Sequence, residues 1–133
     1  GELYVKEHIY RKGLTNQDIS RLIKSLGITD KIVADSAEPK SIEELKREGI
    51  YIAPAQKGKD SILYGIQRIN DYQVNVHTSS KNLIEEFSSY IWAKDRSGLP
   101  TNKPIDDFNH GIDAIRYALT DKLRRKKLEF NVV

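Results

Sequence analysis

Ile32-Val33-Ala34-Asp35 is a short apolar run ending in a carboxylate, and the residues after it, Ser36 to Pro39, are polar and turn-forming. Such a run reads as a buried strand whose last residue emerges at the strand end. Far downstream, His110-Gly111-Ile112-Asp113 opens a segment whose apolar residues recur with helical spacing. There an imidazole and a carboxylate three positions apart share one helix face. A strand-end Asp facing a helical His/Asp pair can hold a divalent metal, a pattern that points to metal-assisted hydrolysis.

Working outward, helices and strands alternate. Glu2 to Arg11 carries Leu3, Val5 and Ile9 at nearly alternate positions and reads as a strand. Thr15 to Asp18 resembles a helix cap, followed by the stripe Ile19, Leu22, Ile23 and Leu26, with Gly27 as the stop. Ser41 to Glu44 reads as a capping box opening a short helix that stops at Gly49, and Tyr51 to Ala53 as the next strand. Asp60 is expected to cap a helix carrying Ile62, Leu63, Ile66 and Ile69. Val74 to Val76 is a further strand, and Ser79 or Ser80 caps a helix with Leu83, Ile84 and Phe87 in its core face. This order implies βαβ units and a largely parallel core sheet, in which ligands sit beyond the carboxyl ends of the strands. Tyr90 to Ile105 breaks the alternation and reads as a β-hairpin with its turn at Asp95 to Gly98. The last helix is expected to start at Asp106 or Asp107, with Phe108, Ile112, Ile115, Leu119 and Leu123 toward the core. His110, Asp113 and Tyr117 then fall on the opposite face.

The chain has 133 residues, enough for one domain with one core. It contains no cysteine, which removes disulfide frameworks and thiolate metal sites. No apolar run approaches the length of a membrane span, and neither a membrane segment nor a signal peptide is expected. There is no phosphate-binding loop of the G-x-x-x-x-G-K type, so this stretch carries no nucleotide-hydrolysing motor of that class. A formal charge of +3 mildly favours a polyanionic partner. Lys122 to Lys127 concentrates cations at the end of the last helix, where they complement the helix dipole or contact phosphate.

Three blocks carry a resemblance. Val33 to Ser41 (VADSAEPKS), Gln56 to Ile62 with Gly65-Ile66, and Phe108 to Ala118 (FNHGIDAIRYA) resemble, in order, the C-terminal nuclease domain of the large terminase subunit of tailed bacteriophages and prophages. The resemblance runs from about Leu3 to Leu123. It implies an α/β, ribonuclease H-like fold with a parallel core sheet, flanking helices and a β-hairpin. It implies metal-dependent endonucleolytic cutting of concatemeric viral double-stranded DNA during genome packaging, with two Mn2+ or Mg2+ ions. In the parent protein it implies a motor ATPase domain, a small terminase subunit and a portal as partners, in the cytoplasm of the bacterial host. Asp35 matches the family's second acidic residue, Asp113 the last, and His110 a neighbouring histidine. The family's first acidic residue lies on a strand upstream of the segment matching Leu3 to Arg11. Asp18 and Asp30 lack its context. The expectation is therefore a nuclease domain whose first central strand is missing. Leu3 to Arg11 is expected to pair irregularly, to pair with another chain, or to be partly mobile, because unpaired edges recruit partners.

On this reading Asp35 bridges the ions, Asp113 ligates one of them, and His110 is a ligand or general base. Each has a structural alternative: Asp35 as a turn cap, His110 as an exposed first-turn residue, Asp113 as a dipole partner. Lys57 and Lys59, before the helix at Asp60, are assigned to DNA backbone contact. Lys40 beside Asp35 is a third DNA-binding candidate or a surface ion-pair residue, Arg116 an ion-pair partner of a core carboxylate, and Trp92 a packing residue. Two competing functions remain: a catalytically dead remnant keeping the fold and weak DNA affinity, and a junction-resolving nuclease on the same fold.

Overall fold

In the computed structural model the backbone is described for residues 1–56, 61–89, 92–94, 100–104 and 110–132. The first strand, β1 (Glu2–Val5), is followed by α1 (Asn16–Ser25), β2 (Ile32–Ala34), α2 (Pro39–Arg47) and β3 (Ile52–Pro54). Then come α3 (Ser61–Asn70), β4 (Gln73–Val76), α4 (Lys81–Ser89), β5 (Trp92–Lys94), β6 (Pro100–Pro104) and α5 (His110–Val132). No helix among the described residues is long and apolar enough to cross a membrane.

The expected parallel pairing is present, but split. β2 runs parallel to β3, with Ile32 opposite Ile52, and β1 runs parallel to β4, with Glu2 opposite Gln73. Among the described strands these form two separate pairs rather than one sheet, and β5 and β6 make the expected antiparallel hairpin. Its turn, Asp95 to Gly98, lies outside the described residues, as do Asp60, Asp106, Asp107 and Phe108.

The segment from Leu3 to Arg11 departs from expectation. Instead of pairing irregularly or outside the chain, β1 is in register with β4 through Val5. It ends there because Glu7 leaves the ladder to cap α4. The Glu7 backbone N–H donates to Ser80 Oγ at 2.9 Å, and its carboxylate accepts from the Asn82 backbone N–H at 2.7 Å. A carboxylate at a helix N-terminus satisfies donors that the helix cannot.

α1 forms as its sequence predicts, except that Leu26 of the expected stripe falls at the C-cap and is exposed. Thr15 and Asp18 make a reciprocal capping box, and Gly27, at φ 69°, takes the left-handed conformation that closes the helix. α2 begins earlier than the Ser41 box predicts, because Pro39 is pre-set for the first helical position. Ser41 Oγ donates to Glu38 Oε2 at 3.2 Å instead of capping. One core cluster joins Ile23, Ile42, Leu45, Ile50 and Ile52 between α1, α2 and β2–β3. A second joins Ile69, Ile112 and Leu119, with Val74, Phe87 and Ile115 packed against it. On α4 the expected core residue Ile84 is exposed, and Glu86 is buried.

Candidate active site

Asp35 sits where β2 ends and the chain turns toward α2. Its Oδ1 accepts the Ala37 backbone N–H at 3.0 Å, so the turn-cap role is realised. That bond leaves Oδ2 pointing elsewhere, and the Tyr117 hydroxyl of α5 lies 3.4 Å from it. α5 packs directly on β2. A further tie is the half-buried ion pair of Lys31 Nζ with Asp121 Oδ1 at 3.0 Å.

Asp113 lies one helical turn before Tyr117 on the same face. Its Oδ1 accepts from Arg116 at 3.1 Å, so Arg116 pairs with this partly exposed carboxylate rather than with one in the core. The guanidinium carbon of Arg116 stands 4.6 Å from the centre of the Tyr117 ring, within cation–π range. A connected path therefore links the two carboxylates: Asp113, Arg116, Tyr117, Asp35.

His110, the first residue of α5, is exposed. It borders an open cleft of about 710 Å³ with Tyr10, Arg11, Lys12 and Leu14. Asp35 borders a second cleft, of about 430 Å³. Leu14 and Ile19 line both, so the two clefts adjoin along the entry of α1. Among the described residues no three His, Cys, Asp or Glu side chains gather into one metal-holding group. The chemistry of the donors is nonetheless suitable. Magnesium is commonly held by one or two carboxylates, with water and substrate phosphate completing the shell, and Asp35 and Asp113 are oxygen donors of that kind. Lys40 is exposed in the first turn of α2. Lys57 and Lys59 lie outside the described residues, as does the side chain of Trp92.

Two supporting residues escape a reading of the sequence alone. Glu86 is 1 % exposed, and its carboxylate accepts the Tyr10 hydroxyl at 2.6 Å and the backbone N–H groups of Gly111 and Ile112 at 2.9 and 3.0 Å. It thereby anchors the first turn of α5, which carries His110 and Asp113. The same bond, followed by desolvation and the Glu86 charge, holds the Tyr10 phenol up at about 12. Gly65 of α3 is the other. A methyl group there would overlap the Cγ and Cδ of Arg116. The available signals are weak: a carboxylate three residues after Leu83 on an otherwise apolar face, and a glycine inside a helix.

The family described as "Terminase RNAseH like domain" matches residues 1–121. The chain is 36% identical over 99 residues to the large terminase subunit of Bacillus phage SPP1, covering 71% of this chain and 24% of that protein. It is 27% identical over 121 residues to the PBSX phage terminase large subunit of Bacillus subtilis, covering 90% of this chain and 28% of that protein. The chain thus spans about a quarter of the length of these relatives. Among solved structures, the SPP1 g2p large terminase nuclease domain, crystallised with bound Mn, superposes with a TM-score of 0.82 at 28% identity. That match covers 90% of this chain and 70% of that one. The large terminase of a thermophilic bacteriophage shares the fold, with a TM-score of 0.63 at 24% identity over 84% of this chain and 30% of that one. With a family match over residues 1–121 and a ribonuclease H-like fold, this chain belongs to the terminase ribonuclease H-like domain family.

Proposed function

We propose that this chain is the metal-dependent endonuclease domain of a phage or prophage large terminase, cutting concatemeric viral double-stranded DNA during genome packaging in the bacterial cytoplasm. The observation that carries this reading is the fold match over 90% of the chain to a terminase nuclease domain that binds manganese. The placement of Asp35 against α5, the helix of Asp113, supports it. Asp35 and Asp113 would hold the ions, with His110 as a further ligand or as general base. A nitrogen donor there tilts the preference from magnesium toward manganese. A divalent ion in such a site supplies Lewis acidity toward water and phosphate. The residues of the chain do the rest. Asp35 and Asp113, carried on two different elements, would place the ions against one phosphodiester. Lys40, Lys57 and Lys59 would contact the DNA backbone, and binding would be salt-dependent and indifferent to sequence. Within the parent protein the partners would be the motor ATPase domain, the small subunit and the portal.

A second reading is a domain that keeps the fold and binds DNA without cutting it. It is favoured by the lack of a three-ligand group among the described residues. Plasmid nicking with Mn2+, Mg2+ or chelator, beside Asp35→Ala and Asp113→Ala, separates the two. Cutting that requires the ion and is lost in both variants supports the nuclease. Retained DNA binding without ion-dependent cutting leaves the second reading.

A further inference from the structure

Arg116 is a cation in the wrong place for stability. It is 5% exposed, and its Nε is buried without a hydrogen-bond partner among the described residues. A buried guanidinium with an unsatisfied N–H costs more than an apolar side chain of similar volume would. The fold nevertheless makes room for it, because position 65 of α3 carries no side chain where the Arg116 stem crosses. From that slot the guanidinium reaches the surroundings of both candidate ligands. It donates to Asp113 Oδ1 at 3.1 Å and lies over the ring of Tyr117, whose hydroxyl is 3.4 Å from Asp35 Oδ2.

We propose that Arg116, seated against Gly65, is the positioning residue of a divalent-ion site formed by Asp35 and Asp113. The inference rests on the metal reading of those two carboxylates. Arg116 touches neither ion nor substrate. It holds one oxygen of Asp113, which sets the carboxylate rotamer and presents the other oxygen, and it fixes the Tyr117 ring that meets Asp35. Its charge also offsets the repulsion that the two carboxylates would suffer on sharing an ion site.

The test is Mn2+ titration of the purified chain without DNA, followed by calorimetry or by the loss of the free-ion electron-resonance signal. Wild type, Asp35→Ala, Arg116→Met, Arg116→Lys, Gly65→Ala and Tyr117→Phe are compared, with circular dichroism to verify folding. Loss of an outer hydrogen bond to a metal ligand lowers affinity about 10-fold or more, and that fall is expected in Arg116→Met. Gly65→Ala, which keeps the arginine but fills its slot, is expected to reproduce it, while Arg116→Lys recovers part and Tyr117→Phe shows a smaller fall. Should Arg116→Met fail to fold, Gly65→Ala and Tyr117→Phe decide. Unchanged or tighter Mn2+ binding in the folded variants, with binding lost in Asp35→Ala, overturns the inference alone. A wild type that binds no Mn2+, or an Asp35→Ala that binds it equally well, overturns the functional reading and this inference with it.

Discussion

The two halves of the molecule are built on different principles. Around β2 and β3 the interior is aliphatic: Ile23, Ile42, Leu45, Ile50 and Ile52 form one cluster, with Ile19, Ile28, Ile32 and Ala34 packed against it. Around α5 the interior holds a carboxylate and a guanidinium, Glu86 and Arg116, beside Ile69, Ile112 and Leu119. The aliphatic half gains its stability from burial at about 25 cal/mol per Å² of apolar surface. The other gives up some of that gain to fix where a helix begins and how its polar face is directed. The candidate site joins the two: Asp35 ends β2 of the aliphatic half, whereas Asp113 and the side chains that orient it belong to the second.

The sharpest way to break this contrast is Glu86→Ala. It leaves two backbone N–H groups of α5 and the Tyr10 hydroxyl without their acceptor. Each buried polar group left without its partner costs about 1–3 kcal/mol, and with two backbone donors orphaned denaturant unfolding is expected to show a loss of about 4 kcal/mol. A loss no larger than that of an exposed substitution would mean that the polar interior of this half does not specify its structure. Ile52→Ala comes next, at about 3 kcal/mol for a buried aliphatic truncation. Its effect is expected in stability alone, with Mn2+ affinity unchanged in the folded fraction. A simultaneous loss of affinity would show that the aliphatic packing beneath β2 also places Asp35.

The smallest effect is in the pH dependence. The Tyr10 phenol is held at about 12, first by its bond to Glu86. A group whose folded value is raised contributes stability that is complete below its unfolded value and lost as pH climbs through the folded one. Alkaline unfolding is therefore expected to gain an extra slope between about pH 10, the ordinary tyrosine value, and about 12. Tyr10→Phe should remove that slope, and an unaltered alkaline profile would show that this bond does not persist in solution.

The aliphatic half is legible in the sequence almost residue by residue. Thr15 to Asp18, the Ile19 stripe and Gly27 announce α1 through capping and helical spacing, which depend only on neighbours in the chain. The start of α2 is harder to read because two local signals compete, and Pro39 prevails over Ser41. The other half is less legible, since its determinants are contacts between distant segments. Nothing near Glu7 says that it will cap α4, and nothing near Gly65 says that an arginine of α5 will lie across it. The candidate site is half legible. Asp35 and the Asp113 face of α5 stand on elements the sequence marks clearly, and the pairing of Asp113 with Arg116 follows from helical spacing. The meeting of Asp35 with Tyr117 depends on how α5 docks on β2, which no local pattern encodes.

The parallel pairing of β1 with β4 also sets an order of assembly. Ile32 meets Ile52 across a single short helix, whereas Glu2 must wait for Gln73, a separation more than three times longer. Closing the longer loop costs roughly 1 kcal/mol more in chain entropy, and distant pairings form late. As the chain leaves a ribosome, the β2–β3 unit can close while β4 is still unmade. The earliest of these strands to be synthesised is then among the last to find its partner. Until then it is an exposed edge, and the period before β4 emerges is when this chain is most open to capture by a chaperone or by a neighbouring copy.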